Sequence, residues 1–354
     1  MKAIAMLKYA DHEKKQPGKV GVIDVPKPTP GPEDILIRIA YASICGSDAH
    51  VARGNLAPQL EEIIRAMLPW RFGHEISGVI EDLGEKAKAA GFQIGDRVTA
   101  NYTHYCNSCY FCRTGQENFC TNPEPHFDGM SEYVSWHMSQ VYKIPDNVSL
   151  LHASQTEPLS IALNACETVG IHLGSRVLIS GAGPIGLYAA QLAKRAGASI
   201  VVISDIVASK HEIALKNGAT ACVNPLEADW KEKAMALTGG LGYDAVLECS
   251  GASSAAQAMP ELMTNGGHCV MFAMYNPAFK LEISPYFTFY EQSKHIHGMY
   301  TSADKFPATV AMLDSINYDD IIEGVFDYND CEEAFEKALS GKYIKLVFKF
   351  SDDQ

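Results

Sequence analysis

A glycine-rich turn that joins an apolar run to a helical pattern constrains the fold of this chain more than any other stretch. The turn reads Gly-Ala-Gly-Pro-Ile-Gly over residues 181–186, and a second apolar run after the helical pattern ends in Asp205. In such a turn the first glycine permits the sharp bend, the second lets a pyrophosphate approach the backbone, and the third lets helix and strand pack closely. The stretch therefore predicts a strand–helix–strand unit that binds a dinucleotide at the helix N-terminus, where free N–H groups meet the phosphates.

The residues expected to touch that dinucleotide lie in the turn and shortly after the second apolar run. Pro184 suits the first turn of a helix, where its missing N–H costs nothing. Asp205 is expected to accept hydrogen bonds from the ribose hydroxyls, and its charge would repel a 2′-phosphate, so NAD is favoured over NADP. The predicted cofactor-binding residues are Gly181, Gly183, Pro184, Ile185, Gly186, Asp205 and Lys210.

Composition and charge narrow the class of protein. The 354 residues are 47% apolar and 20% charged, as in ordinary soluble globular proteins, and the length suggests two domains. The net charge of −13 argues against a nucleic-acid or anionic-membrane surface. No apolar run reaches the roughly 18–20 residues of a membrane span. The N-terminus passes directly into a predicted strand without a signal-peptide pattern, which makes the cytoplasm the expected location.

The pattern of predicted strands and helices changes twice along the chain, and this pattern predicts the fold class. Residues 1 to about 155 read as short strands, with a helix expected over about 58–67. Residues from about 160 to 295 alternate between strands and helices, which predicts an α/β fold with a doubly wound parallel sheet. After about 297 the pattern is mixed again and ends in a strand, so the α/β region interrupts a β-rich one.

Four cysteines spaced C-x2-C-x2-C-x7-C predict a metal site. Four thiolates this close can surround one ion tetrahedrally, as in a closed structural zinc site. An iron–sulfur cluster is the competing interpretation, because such clusters are also held by four cysteines. The short, polar and turn-rich sequence around them favours zinc. The four residues are Cys106, Cys109, Cys112 and Cys120.

A second set of candidate ligands is dispersed along the chain, and each member alone is a weak signal. It comprises Cys45 in Cys-Gly-Ser-Asp, His74 and Glu75 in Gly-His-Glu, and Glu157 in Glu-Pro-Leu. Together with the cysteine lobule and the glycine turn, in this order along essentially the whole chain, these pieces resemble the zinc-dependent medium-chain alcohol and polyol dehydrogenase family.

The resemblance implies a division of the chain and a set of cofactors. A GroES-like, β-rich catalytic domain is expected over 1–158 and 297–354, and a Rossmann NAD-binding domain over 159–296. Two zinc ions per chain are expected, one structural and one catalytic, with NAD as the redox cofactor. A homo-oligomer, either a tetramer or a dimer, is expected by resemblance alone.

The resemblance also assigns roles to the dispersed residues. In that family, the residues matching Cys45 and His74 bind the catalytic zinc, and the residue matching Asp48 orients a ligating imidazole. The glutamate matching Glu75 is a third or exchangeable ligand. The position of Glu157 is a ligand, or holds the zinc-bound water, in the sorbitol and threonine dehydrogenase branches. Which glutamate is the third ligand stays open at this stage.

The reaction that the resemblance implies is reversible hydride transfer between a secondary alcohol and NAD. Zinc lowers the pKa of the alcohol so that an alkoxide forms near neutral pH. Ser47 is expected to pass the released proton toward His50 or solvent. The predicted catalytic residues are Cys45, Ser47, His50, His74, Glu75 and Glu157, and the predicted catalytic zinc ligands are Cys45, His74, Glu75 and Glu157.

The substrate is less well determined. The Cys-Gly-Ser-Asp segment looks closer to the polyol branch, so a polyol or sugar alcohol is expected, with L-threonine 3-dehydrogenase-like or 2,3-butanediol dehydrogenase-like activity as the alternative. Sorbitol-type enzymes carry an Arg-Tyr pair where this chain has Thr301-Ser302, which puts an arginine clamp on the substrate in doubt. Trp70, Phe127 and Tyr300 are candidate cleft residues. A non-catalytic NAD-binding scaffold is the alternative of another class.

Overall fold

The chain passes from one structural unit into a second and returns to the first. The computed structural model describes residues 1–11 and 16–352. The first unit comprises Met1–Pro158, Ser302–Tyr318 and Ile322–Gln354. The second comprises Leu159–Thr301 and Asp319–Ile321.

Both units contain strands and helices. In chain order the strands are β1 Lys2–Lys8, β2 Lys19–Asp24, β3 Asp34–Ser43, β4 Trp70–Arg71, β5 Glu75–Leu83, β6 Arg97–Ala100, β7 Thr103–His104, β8 Glu124–Pro125, β9 Tyr133–His137, β10 Val141–Lys143, β11 Arg176–Ser180, β12 Ile200–Ser204, β13 Ala221–Val223, β14 Tyr243–Glu248, β15 Met263–Met271, β16 His295–Gly298, β17 Ile322–Asp327 and β18 Lys345–Lys349. The helices are α1 Gly46–Arg53, α2 Pro58–Ala66, α3 Glu85–Ala89, α4 Tyr110–Arg113, α5 Leu150–Ala153, α6 Thr156–Thr168, α7 Pro184–Arg195, α8 Ser209–Lys216, α9 Trp230–Ala236, α10 Ser253–Leu262, α11 Phe306–Met312 and α12 Cys331–Leu339.

The first unit is built around a seven-stranded, mostly antiparallel sheet. Its strands follow the order β10-β6-β5-β3-β18-β17, β9 also pairs with β3, and β17 runs parallel to β18. Strand β17 alternates between half-buried and exposed residues, as expected for a sheet with one face toward the core. The long strand β3 is buried along most of its length, and its register places Ser43 opposite both Glu75 and Val347.

The second unit contains a six-stranded parallel sheet. Its strands follow the order β13-β12-β11-β14-β15-β16. The first strand of the unit lies in the middle and later strands extend outward on both sides, which is the order of doubly wound dinucleotide-binding folds. Strand β12 is fully buried from Val201 to Ile203, as expected for a continuous apolar strand with both faces covered. The predicted fold class, a β-rich region combined with a doubly wound parallel sheet, is confirmed.

The core of the first unit combines many aliphatic side chains with several large aromatic ones. Trp136 and Phe72 are at most 1% exposed, and the ring of Phe72 packs 4.9 Å from that of Phe335. Burying one such side chain contributes about 1.5–3 kcal/mol to folding. Within residues 1–11 and 16–352, no helix combines the length and apolarity that crossing a bilayer requires.

The helix predicted over about 58–67 is present as α2, but its apolar residues are not all core. Ile64 is buried at 1% exposure, whereas Ile63 and Met67 are 51% and 58% exposed. The prediction of a helix is therefore confirmed. The spacing of its apolar residues does not show which of them are buried.

Candidate metal centres and cofactor turn

Cys45 lies where strand β3 gives way to helix α1. It occupies the N-cap position of α1, and its backbone N–H donates to Asp48 Oδ2 at 2.9 Å. Asp48 is itself buried. A carboxylate that accepts from the N-cap N–H fixes the entry of the chain into the helix. The cysteine is thereby held at the end of the main sheet.

The start of strand β5 brings a histidine and a carboxylate to the same place. Glu75 is the first residue of β5 and His74 directly precedes it. One ligand atom from each of Cys45, His74 and Glu75 lies within 4.8 Å of the others. His74 is 5% exposed and Glu75 is fully buried. Sulfur, nitrogen and oxygen donors at this spacing form a donor set that zinc accepts.

Unpaired atoms and excess negative charge indicate that a cation fits among these residues. His74 Nδ1 and Glu75 Oε1 are buried without a hydrogen-bond partner. Asp48 Oδ1 lies 3.9 Å from His74 Nδ1, which is too far for a hydrogen bond. Among the residues that the structure describes, three buried carboxyl groups, those of Asp48, Glu75 and Glu157, lie in this region with the ammonium of Lys345. A divalent cation would neutralise the excess, because buried charges need partners.

Burial and mutual charge shift the pKa values of this cluster. Burial raises the pKa of Glu157 to about 7, reinforced by Glu75 and Asp48 and opposed by His74. Burial also raises the pKa of Asp48. Burial opposes the charge of His74, but nearby Cys45 and Asp48 outweigh it and hold the pKa of that imidazole well above its usual value. Metal binding displaces protons from ligands, so these groups are coupled to any ion held here.

Lys345 of strand β18 is part of this centre and is not found by sequence reasoning. Its ammonium pairs with Glu75 Oε2 and donates to the Ile44 carbonyl at 3.1 Å. Burial lowers the pKa of the Lys345 ammonium, but the nearby Glu75 and Cys45 raise it by more. The net effect is a raised pKa. The only signal in the sequence is a lysine within the apolar run of the last strand. Glu75 therefore has one oxygen committed to Lys345 and one unpaired.

Glu157 approaches the same centre from helix α6. It is the second residue of that helix and is 6% exposed. It does not belong to the group of three residues whose ligand atoms all lie within 4.8 Å of one another. Its charge interacts with those of His74 and Glu75, which places it in their neighbourhood.

The two residues predicted to relay a proton lie on helix α1. Ser47 and His50 are both partly exposed. Burial lowers the pKa of His50, and Arg53 acts in the same direction. His50 Nδ1 lies 3.5 Å from Asn55 Nδ2. An imidazole with a lowered pKa is neutral near pH 7 and can accept a proton.

Two aromatic rings lie close to the imidazole of His74. The Tyr102 and Phe127 rings lie 5.1 and 6.0 Å from the imidazole, and Trp70 lies 5.8 Å from Phe127. Trp70 and Phe127 are among the predicted cleft residues, whereas Tyr102 is not. Tyr300, the third predicted cleft residue, lies in the second unit and is 64% exposed.

The four-cysteine lobule forms the second candidate metal centre. The four sulfur atoms lie within 4.8 Å of one another, and the backbone N–H of Cys109 points to Cys106 Sγ at 3.4 Å. Backbone N–H groups of Cys112 and Thr121 lower the pKa of Cys109 to about 5. Thiolates are the metal-binding form of cysteine, so the lowered pKa of Cys109 favours ion binding. Burial and hydrogen bonds from Cys109 and Cys120 raise the pKa of Cys112 to about 12. This arrangement fits a closed tetrahedral site.

The glycine turn in the second unit has the geometry that its sequence predicts. Gly181 has a φ of +99°, which side-chain-bearing residues rarely adopt. A Cβ on Gly186 would lie 2.0 Å from the Gly181 carbonyl oxygen, so helix α7 could not approach the turn with any larger residue. Helix α7 begins at Pro184 with Gly183 as its N-cap. Ile185 follows within the first helical turn, where free N–H groups are available.

Asp205 follows strand β12 and is bonded to the turn itself. Its two carboxylate oxygens accept from the backbone N–H groups of Ala182 and Val207, each at 2.7 Å. The prediction assigned this carboxylate to ribose hydroxyls, and its remaining lone pairs leave that role open. Lys210 lies on helix α8 and is 8% exposed.

A buried carboxylate organises the neighbouring loop of the second unit. Glu248 ends strand β14 and accepts from Ser250 N at 3.0 Å, Gly251 N at 3.2 Å and the Tyr275 hydroxyl at 2.6 Å. A Cβ on Gly181 would meet Ser250 at 3.2 Å, so this loop packs directly against the glycine turn. Sequence reasoning did not identify Glu248.

Comparison with known proteins identifies the family. Residues 31–146 match the family model described as alcohol dehydrogenase GroES-like domain, and residues 184–315 match that of zinc-binding dehydrogenase. An L-threonine 3-dehydrogenase from Pyrococcus horikoshii is 33% identical over 338 residues, covering 92% of this chain and 93% of that protein. The chain belongs to the zinc-type medium-chain dehydrogenase family. The resemblance inferred from the sequence is thereby confirmed.

Other members of the zinc-type dehydrogenase family are similar over nearly the whole chain. A sorbitol dehydrogenase from Halalkalibacterium halodurans is 30% identical, covering 93% of this chain and 95% of that protein. A crystal structure from Clostridium scindens, provisionally assigned as a zinc-binding dehydrogenase, is 41% identical with a TM-score of 0.96 and covers 99% of both chains. A second, from Sinorhizobium meliloti and bound to NADP, is 27% identical with a TM-score of 0.86 and covers 98% of both. The protein is accordingly a zinc-dependent oxidoreductase of the alcohol and polyol dehydrogenase type.

Proposed function

We propose that this dehydrogenase oxidises a secondary alcohol of the polyol or sugar-alcohol class with NAD, at a metal centre formed by Cys45, His74 and a glutamate. The observation that carries the proposal is the donor set of Cys45, His74 and Glu75, whose ligand atoms all lie within 4.8 Å of one another. His74 and Glu75 are buried, and each has a polar atom without a hydrogen-bond partner. Zinc bound there would supply the Lewis acidity that lowers the pKa of the alcohol.

The side chains around the centre have separate roles in this proposal. Cys45 and His74 hold the metal. Ser47 accepts the hydroxyl proton of the substrate and passes it to His50, whose lowered pKa keeps the imidazole ready to receive it. The rings of Tyr102 and Phe127 exclude water beside His74 and bind the carbon chain of the substrate.

Glu157 is proposed as the third ligand, or the holder of the metal-bound water, in the resting enzyme. The argument is the buried ion pair of Glu75 with Lys345, which commits one oxygen of that carboxylate. Glu75 then serves as an exchangeable ligand through its unpaired Oε1. Glu157 is buried, and its charge interacts with those of His74 and Glu75.

NAD is proposed as the cofactor because of Asp205. A carboxylate beside the glycine turn favours ribose hydroxyls and disfavours a 2′-phosphate. The relative from Sinorhizobium meliloti is bound to NADP. In this proposal residues 159–296 bind the dinucleotide through Gly181, Gly183 and Gly186, with Lys210 nearby. The ligands of both proposed metal centres lie in residues 1–158. The second unit extends to Thr301 rather than to 296, because strand β16 pairs with β15 in the parallel sheet.

The choice of substrate rests on similarity. Sorbitol dehydrogenase and L-threonine 3-dehydrogenase are both among the relatives, so threonine or 2,3-butanediol oxidation is the second candidate activity. Thr301 and Ser302 carry no guanidinium group that could bind a substrate carboxylate. The Thr301 carbonyl accepts from the side-chain amide of Asn164, and Ser302 is buried. This favours an uncharged polyol. We further propose a cytoplasmic location and a homo-oligomer, either a tetramer or a dimer, the latter by resemblance alone.

The decisive experiment combines metal analysis with a substrate panel. Purified protein should contain two zinc ions per chain and reduce NAD with at least one polyol, followed by the absorbance of NADH. Cys45→Ser and His74→Gln should lose one zinc and turnover while still binding NADH. A fully active Cys45→Ser enzyme would refute the proposed centre. Activity with threonine alone would reverse the order of substrates, and zinc without any turnover would favour the NAD-binding scaffold.

A further inference from the structure

A buried hydrogen-bond network joins the segments that carry the candidate ligands. It consists of Ser43, Ser154 and Gln155, each fully buried. Gln155 Nε2 donates to Ser43 Oγ at 2.5 Å and to Ser154 Oγ at 2.9 Å. The two hydroxyl oxygens are 3.2 Å apart, and Ser154 donates onward to the Leu151 carbonyl at 2.7 Å. Both amide hydrogens of the glutamine are thereby used inside the protein.

The positions of these residues in the fold connect three parts of the metal centre. Ser43 is the last residue of strand β3, two residues before Cys45. Its register partner on strand β5 is Glu75. Gln155 lies directly before helix α6, two residues ahead of Glu157. One side-chain amide therefore ties the strand end that carries the cysteine to the helix start that carries the glutamate.

Because the network is buried, it holds the two chain segments in one relative position. In a buried place, a hydroxyl or amide that loses its partner cannot replace it with water, so the network strongly disfavours any displacement of the two segments. A short apolar contact would hold the same segments together but would allow them to slide. Residues that do not touch a metal but fix the position of its ligands by hydrogen bonds have this effect.

We propose that the Ser43–Ser154–Gln155 network is a positioning device that sets the place of Glu157 relative to Cys45 at the candidate catalytic centre. It rests on the proposed function. Gln155 and Ser43 are positioning residues, since they act on the metal and the substrate only through Glu157 and Cys45.

The test compares Gln155→Met with Gln140→Met in the otherwise intact protein. Both glutamines are at most 1% exposed. Gln140 bonds the Asn101 carbonyl at 2.9 Å and the His137 N–H at 3.1 Å, and neither of these partners is within two residues of a candidate ligand. The same loss of a buried amide therefore occurs at two places, only one of which is tied to the centre.

The readout is the absorption spectrum of cobalt-substituted protein together with kcat and the KM for NAD. The cobalt bands that disappear in Cys45→Ser define the signal of the candidate catalytic centre. We expect Gln155→Met to shift those bands and to lower kcat about 10–100-fold, with the KM for NAD within about twofold of the original value. Gln140→Met should leave both the bands and kcat unchanged, even where both variants lower Tm.

Ser43→Ala is the second variant, because it removes one acceptor without adding volume and keeps the test valid where Gln155→Met does not fold. Ser43→Ala should shift the same cobalt bands. If Gln155→Met folds and its cobalt bands and kcat are unchanged, the positioning role is overturned and the metal centre is not. If Gln155→Met does not fold, unchanged bands and kcat in Ser43→Ala have the same meaning. Unchanged bands and turnover in Cys45→Ser itself would overturn the proposed function and the positioning role together.

Discussion

Lys345 and Glu75 form an ion pair that is buried on both sides, with side chains 2% and 0% exposed. The two residues are 270 positions apart in the chain and meet because strands β18 and β5 both neighbour β3. Removing one partner of a buried pair leaves an uncompensated charge, which costs far more than the pair contributes. Placing strand β18 in the sheet therefore supplies the positive charge that balances Glu75 beside the candidate metal centre.

We expect Lys345→Met to lower the free energy of unfolding by about 3–5 kcal/mol, because it leaves Glu75 buried without its cation. The double variant Lys345→Met with Glu75→Gln should recover most of that loss, since it removes both charges. Urea denaturation followed by circular dichroism measures both. Lys216→Met, which breaks the exposed pair with Glu212, is the control and should change the free energy of unfolding very little, because solvent screens an exposed pair. A loss in Lys345→Met no larger than that of the control would contradict the burial argument.

The cysteine lobule should hold its ion independently of the other centre. Cys109→Ser should reduce the zinc content from two ions per chain to one and make the segment 103–125 sensitive to protease, because a closed metal site supplies the folding energy of a small lobule. Elemental analysis and limited proteolysis measure these effects. Cys222→Ser is the matched control, since its sulfur donates to the His211 carbonyl and belongs to neither candidate centre. Equal zinc content in the two variants would refute the assignment.

Asp205 should determine the preference between NAD and NADP. Asp205→Asn removes the charge and keeps an acceptor for the Ala182 N–H, so we expect the ratio of kcat/KM for NAD over NADP to fall about tenfold or more. That corresponds to losing one charge-assisted hydrogen bond of about 1.5–3 kcal/mol. Steady-state kinetics with both cofactors measures the ratio. Asp229→Asn, at an exposed surface aspartate of the same unit, should leave it unchanged. An unaltered ratio in Asp205→Asn would separate this residue from cofactor choice.

The pH dependence of stability should report on a histidine pair in the second unit. His268 Nδ1 lies 2.9 Å from His297 Nε2, and burial together with His295 lowers the pKa of both below the usual 6.5. The folded chain therefore binds fewer protons than the unfolded chain just below pH 6.5. Stability from this pair is present above that pH and is lost as the pH falls below 6.5 and through the lowered pKa values of the folded chain.

We expect His297→Gln to flatten the decrease of unfolding free energy with falling pH. Urea denaturation at a series of pH values measures the slope. His172→Gln, at an exposed histidine of the same unit, serves as the comparison and should keep the original slope. A slope in His297→Gln as steep as in the parent would show that the pair does not contribute.

Local patterns predicted the fold class and the family because they act over short stretches of chain. Gly181 and Gly186 identify a strand–turn–helix unit from six residues, and the backbone conformation and close approach found there have no alternative to glycine. The spacing of Cys106 to Cys120 likewise brings four sulfur atoms together within one lobule. The site assignments at Cys45, His74 and Glu157 remain predictions, since they came from resemblance to a family.

The sequence by itself determined the periodicities, the turn chemistry and the cysteine cluster of this protein. Only the tertiary structure decided that Lys345 pairs with Glu75, that Gln155 bonds Ser43 across 112 positions, and that Ile63 of helix α2 stays exposed. The reason is physical: a repeat in the sequence shows which residues share a face, but not which distant segment covers that face. Charges and amides without a local partner find one only when the strands have taken their order in the sheet.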